Sequence, residues 1–152
     1  MKFLTNAKLN PKQLRAVELT EHILNSFEFE AWFVSKRFGD MVNPPNLLNV
    51  EVVSQMFNRQ QYRFTWTLIK RGWFKKWLDK KSTGSVVANV ISTYEDYFDV
   101  ATMPELCGYF ARQMMHIVGF DEVDETVPNK SVPYMVGEYV YARACRLCKM
   151  DE

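Results

Sequence analysis

His116 is the one imidazole in the C-terminal half of the chain, and its neighbours decide what it can do. It lies in the run Arg112-Gln113-Met114-Met115-His116-Ile117-Val118-Gly119-Phe120-Asp121-Glu122. Residues four apart on a helix point the same way, so Arg112 and His116 share a face. Two imidazoles at that spacing would take one metal ion, with a carboxylate between them as base for its bound water. Arg112 offers no lone pair, because a guanidinium does not deprotonate in a protein. Gln113 keeps the shape of a glutamate but accepts no proton at neutral pH. One nitrogen donor remains, His116, with Asp121 or Glu122 as oxygen donors, and such a set rarely holds zinc. No metal or other cofactor is therefore expected. A cation at 112 with carboxylates at 121 and 122 fits another role: Arg112 bridges Glu122 or Asp121 and holds by charge what a metal would clamp.

Other reactive side chains lead nowhere sharper. Cys107 and His116 are nine residues apart on one expected helix, roughly 13 Å along its axis and on opposite faces, so they share no metal. Cys145 and Cys148 sit one turn apart on the last helix and read as packing thiols in a reducing compartment. Three cysteines are too few for a disulfide framework. His22 follows Glu18 by four residues and forms a simple surface pair. The run from Lys70 to Lys81 carries six positive charges interleaved with Trp73, Phe74 and Trp77. Lys70, Arg71, Lys75 and Lys76 beside those rings would suit a nucleic-acid backbone with stacked bases, or a protein partner. The plainer reading is a sheet segment with aromatic rings in the core and lysines in water.

The elements that must position these residues follow from periodicity and caps. Asn10-Pro11-Lys12-Gln13 opens a helix to about Asn25, with Leu14, Val17 and Leu24 as its apolar stripe. Ser26 caps a second helix that places Phe29, Trp32 and Phe33 on one side. Gly39-Asp40 and Asn43-Pro44-Pro45-Asn46 form a linker. Asn49 then starts a short helix with Val50, Val53, Met56 and Phe57 inward. Alternation from Tyr62 to Ile69 predicts one strand, and Val86 to Thr93 a second, joined through the turn Lys80 to Ser85. Tyr94 to Val100 reads as an irregular connection. Thr102-Met103-Pro104-Glu105 opens a helix that Gly119 ends near Val118. Ser131-Val132-Pro133-Tyr134 opens the last helix, towards Met150.

With those elements in place, the run from Arg112 to Glu122 and the following Val132-Pro133-Tyr134 resemble the zinc motif of short bacterial and phage zincin-like peptidases. That motif reads H-E-x-x-H-x-x-G-F-x-H, with V-P-Y shortly downstream. His116 stands at the second His, and Gly119-Phe120 supply the turn. Arg112 stands at the first His, Gln113 at the general base and Glu122 at the third ligand. The specific match spans residues 102–140. The resemblance implies a metallopeptidase scaffold whose catalytic and metal-binding residues have been lost, so no catalytic residue is assigned. It also implies retention for structure or protein contact; related small zincin-like proteins occur in bacteriophages, which points to a virion or accessory role.

Composition sets the outer bounds. With 152 residues, 47% of them hydrophobic, the chain can bury one core and is expected to form a single domain over 1–152. A formal net charge of +1 gives no global attraction for nucleic acid. The N-terminal residues do not read as a secretory signal, and no window reaches the roughly 18 apolar residues of a membrane span, so synthesis in the cytoplasm is expected. The predicted fold is α+β and zincin-like: N-terminal helices, a small sheet and two closing helices. The predicted role is a non-catalytic module for structure or interaction, with a protein partner or homo-oligomer. Two other classes stay open: a metallopeptidase with a non-standard metal site, and a nucleic-acid-binding module using residues 70–81.

Overall fold

A computed structural model describes residues 1–38, 48–72, 84–120 and 131–150. The fold is mixed, with α-helices and small sheets. Strand β1 (Lys2–Leu4) precedes helices α1 (Pro11–Leu24), α2 (Phe27–Ser35) and α3 (Asn49–Val52), the last running into a π-helical turn, Val53–Phe57. Strands β2 (Gln61–Arg63), β3 (Thr65–Ile69), β4 (Gly84–Val87) and β5 (Val90–Tyr94) follow. Helices α4 (Glu95–Val100), α5 (Met103–Val118) and α6 (Val132–Met150) close the chain.

The helix ends are where the capping residues put them. Asn10 accepts from the Gln13 amide at 2.8 Å while the Gln13 side chain accepts from the Asn10 amide at 2.9 Å, satisfying two donors that a helix start leaves open. Ser26 caps α2 through the Phe29 amide at 3.1 Å. Thr102 and Glu105 repeat the reciprocal pair at the start of α5. Gly119 has φ of 118°, a left-handed conformation that costs glycine little, and its amide closes back on Met115 and His116. Ser131 Oγ accepts from the Tyr134 amide at 3.3 Å, so α6 also begins as its residues indicate.

The strands depart from expectation in two places. The strand expected over Tyr62 to Ile69 bends at Phe64 and serves two ladders. β2 runs parallel to β1, β3 runs parallel to β5, and the Phe64 amide still donates to Leu4 at 2.9 Å. The strand expected over Val86 to Thr93 is a hairpin instead. Ala88 and Asn89 both take positive φ, 48° and 65°, which is the two-residue turn whose twist matches antiparallel strands. The sheet order is β3-β5-β4.

Three local corrections concern helices. Residues 95–100 form α4 rather than an irregular link; Glu95 and Asp96 suit its first turn, and buried Phe98 anchors it edge-on to Trp66 at 6.2 Å. Val50 is 54% exposed because the wide turn after α3 carries the inward stripe through Val52, Val53 and Phe57. Leu14 is likewise outward, and α1 buries Ala16, Val17, Thr20, Ile23 and Leu24.

Phe110 of α5 sits at the centre of the core. Its ring stacks on Trp66 at 5.0 Å and meets Phe64 and Phe3 edge-on at 5.1 and 5.5 Å. These contacts seat the sheet on α5, as the sequence predicts. Trp66 Nε1 donates to buried Thr93 Oγ1 at 2.8 Å, locking β3 to β5 beneath the ring. A second aromatic group, Phe29, Phe33, Phe57 and Phe120, joins α2 and the π-helical turn to the segment after Gly119.

Candidate functional site

Helices α5 and α6 meet backbone to backbone. A Cβ on Gly108 would lie 2.9 Å from the Gly137 carbonyl oxygen, and one on Gly137 would lie 3.0 Å from that of Gly108. Only glycine allows such an approach, and two glycines inside helices are otherwise costly. Beside this crossing is a cavity of about 300 Å³. Tyr109, Arg112 and Gln113 line it from α5, Tyr134 and Tyr141 from α6, and Tyr97 from α4. Glu105 and Glu138 add two carboxylates.

Arg112 reaches across to the facing helix. Its guanidinium carbon is 5.6 Å from the centroid of the Tyr134 ring, within the range of a cation–π contact. This places the residue at the first ligand position of the motif against the tyrosine of Val132-Pro133-Tyr134. Gln113 is buried and borders two cavities: the one at the helix crossing and another of about 390 Å³. The second also touches His116 and Ile117, and the hairpin residues Val86, Ala88 and Asn89. Three of the four motif positions thus share one solvent-reaching side of α5. The fourth, Glu122, lies outside the described residues, as does Asp121, and so does their bridge to Arg112.

Glu105, Tyr97 and Tyr109 have settled protonation states. Hydrogen bonds from the Thr102 backbone and hydroxyl hold Glu105 below the usual carboxylate range, so it is ionised at neutral pH. Burial, with Glu105 and Tyr109 nearby, pushes Tyr97 up to about 12. Burial also raises Tyr109, whose hydroxyl donates to the Ser92 carbonyl at 3.2 Å. Tyr97 and Tyr109 therefore stay neutral beside the charged Glu105.

Elsewhere the candidates scatter. Cys107 is buried between α5 and α1, its thiol 3.7 Å from the Ala16 carbonyl oxygen, and burial pushes its pKa up to about 12. Among the described residues, no three His, Cys, Asp or Glu side chains gather where an ion could bind, and no helix is long and apolar enough to cross a membrane. In the basic aromatic run, Trp73, Phe74, Lys75, Lys76 and Trp77 lie outside the described residues. Lys70 is exposed. Arg71 departs from the expected solvent-facing cation: its side chain is 4% exposed, its Nε lies 3.4 Å from Asp96, and its guanidinium covers the Tyr94 ring at 4.2 Å. The flat cation is used to pack β3 against β5 and α4 and cannot reach a phosphate.

Sequence reasoning did not assemble the walls of the cleft. Tyr97, Tyr109, Tyr141 and Glu138 come from three helices whose relative placement no periodicity specifies. Gly108 and Gly137 were the available signal, since a glycine in a helix interior commonly marks a close approach. No family model matches the chain, and no curated protein or solved structure matches it.

Proposed function

We propose that this chain is a zincin-like domain without peptidase activity, retained as a structural or protein-interaction module. One observation carries the reading: the cation at the first ligand position lies over Tyr134 of the V-P-Y segment. An arginine there joins the motif helix to the helix after it, the two segments that a metal centre would tie together. The left-handed Gly119 and the Ser131 cap support the reading, because both stand where the motif requires a turn and a new helix. An accessory or virion role in a bacteriophage is the setting that the family analogy favours.

Two measurements test this. Purified protein should carry no stoichiometric zinc by elemental analysis and should cleave no peptide library. The variant Arg112→His with Gln113→Glu and Glu122→His should gain one tightly bound zinc per chain. Stoichiometric zinc in the native protein, with hydrolysis abolished by His116→Ala, overturns the non-catalytic reading. A folded triple variant that takes up no zinc overturns the zincin scaffold.

A further inference from the structure

Helix α2 is apolar on two opposite sides, and only one of them is covered. Phe29 and Phe33 are buried in the aromatic group that joins α2 to the π-helical turn. Phe27, Ala31 and Val34, spaced by four and then three residues, form a stripe on the opposite side. All three are exposed, Phe27 by 80%. The apolar surface continues past the end of the helix. Asn49 Nδ2 donates to the carbonyls of Phe33 at 3.0 Å and Lys36 at 2.6 Å, which brings Leu48 and Val50 to the C-terminal end of α2. Leu48 is 68% exposed and Val50 is also outward. A helix that is apolar all round is ordinarily buried all round, and exposed apolar residues gathered in one place mark a contact surface. No residue of α2 lines either of the two cavities, so the chemistry of the cleft does not account for this face.

The charges along α2 say what covers it. Its first turn carries Glu28 and Glu30, and the chain leaves it through Lys36 and Arg37. A second α2 laid antiparallel sets the acidic start of each helix towards the basic end of the other, and opposes the two helix dipoles. A parallel pair would set Glu30 against Glu30. The antiparallel pair also satisfies a two-fold axis, in which one patch must be complementary to itself. Phe27 of one copy then packs against Val34 of the other, with Ala31 near the axis, where a small side chain lets the helices approach.

We infer that the outward face of α2 is the interface of a two-fold homodimer. The stripe of Phe27, Ala31 and Val34 packs on the same stripe of a second copy, and Leu48 and Val50 extend the apolar contact at its ends. Glu30 of each copy lies towards Arg37 of the other. Glu28 is already 3.9 Å from Arg143 of its own chain, so Glu30 is the acid to test. A second copy is a partner of the kind the interaction role calls for, but this surface owes nothing to the motif helix. Zinc uptake by the triple variant reports on descent, self-association reports on α2, and either can fail alone.

The test is sedimentation equilibrium of the full-length protein over a wide concentration range. A reversible monomer–dimer equilibrium is expected, and amide shifts that depend on concentration should fall in α2 and at Leu48 and Val50. Phe27→Ser should weaken the dimer at least about tenfold, because two copies of the ring leave the interface at once. Folding should survive, since the side chain is exposed and serine suits a helix start. Val100→Ser, at an exposed valine on α4, is the matched control and should leave the dimer unchanged. Glu30→Lys and Arg37→Glu should each self-associate about threefold more weakly, and their equimolar mixture should recover the native affinity. A chain that stays monomeric up to about 1 mM leaves this face to a different partner and overturns the homodimer. So does a dimer indifferent to Phe27→Ser, while a mixture no tighter than either charge variant alone overturns the antiparallel arrangement.

Discussion

Replacing Gly108 by alanine adds one methyl group at the point where α5 and α6 touch. That methyl would lie 2.9 Å from the Gly137 carbonyl oxygen and 2.9 Å from Cβ of Tyr141. Carbon atoms settle at about 3.5–4.0 Å, so the helices must part by roughly 0.6 Å or more. Neither obstacle is the tip of a flexible side chain, and overpacking of this kind costs about 1–3 kcal/mol. Against this, alanine favours a helix interior over glycine by about 1 kcal/mol. The clash outweighs the gain because both contacts sit on rigid parts of α6, leaving a net loss of up to about 2 kcal/mol. For a chain of this length that lowers Tm by up to about 8 °C. Urea denaturation should show a lower midpoint with unchanged slope. Gly72→Ala is the matched control, since its added Cβ meets nothing within 4 Å. A Gly108→Ala variant stabilised by the full helix-propensity gain would refute the backbone contact, and with it the floor of the cleft.

Three further outcomes follow from the same geometry. Burial raises the Cys107 thiol from 9.0 to about 12, so above pH 9 the unfolded chain releases a proton that the folded chain keeps. Stability should therefore fall as pH rises from 9 towards 12, less steeply in Cys107→Ala, and thiol reagents at neutral pH should label Cys145 and Cys148 but not Cys107. Arg71→Ala should cost about 1–3 kcal/mol in denaturant titrations, and Arg71→Lys should not restore it, since an ammonium has no flat face to lay on Tyr94; an Arg71→Ala variant of native stability contradicts the buried role. Arg112→Met, which keeps length and removes charge, should cost about 0.5–2 kcal/mol by calorimetry through the contact with Tyr134; no loss at all would mean that Arg112 does not join the two helices.

What the sequence made legible, and what it hid, divides by range. Caps act within four residues, and Asn10, Ser26, Thr102 and Gly119 end their helices where local chemistry places them. The alternation from Tyr62 onwards also holds, with Phe64 and Trp66 buried and Arg63 and Thr67 outward. The bend at Phe64 was hidden because it answers to β1, a three-residue strand sixty positions away in sequence and too short to show a period. The Ala88-Asn89 turn was hidden because alanine seldom takes positive φ, so only Asn89 hinted at a hairpin. Arg112 and His116, four residues apart, share a face of α5 by helical periodicity, and with Gln113 they border the two cavities. The sequence could not show that four tyrosines line the cavity at the helix crossing, since that depends on where α6 and α4 come to rest.

The two sides of α5 explain how residues lining the cavities can change without loss of the fold. Leu106, Phe110, Ala111, Met114 and Met115 are fully buried and carry the packing against the sheet and α1. Glu105, Tyr109, Arg112, Gln113 and His116 line the cavities. Helical periodicity keeps these stripes apart, so a change at 112 alters the charge and shape of the cleft while Phe110 keeps its ring contacts. The same separation gives the converse constraint. Gly108 and Gly137 lie where the cleft meets the helix contact, and they are the positions at which a change in the site becomes a change in the scaffold. Chemistry in this fold can therefore be rewritten along the Arg112 to His116 stripe at modest cost, whereas the width of the cleft is fixed by two residues that have no side chains to substitute.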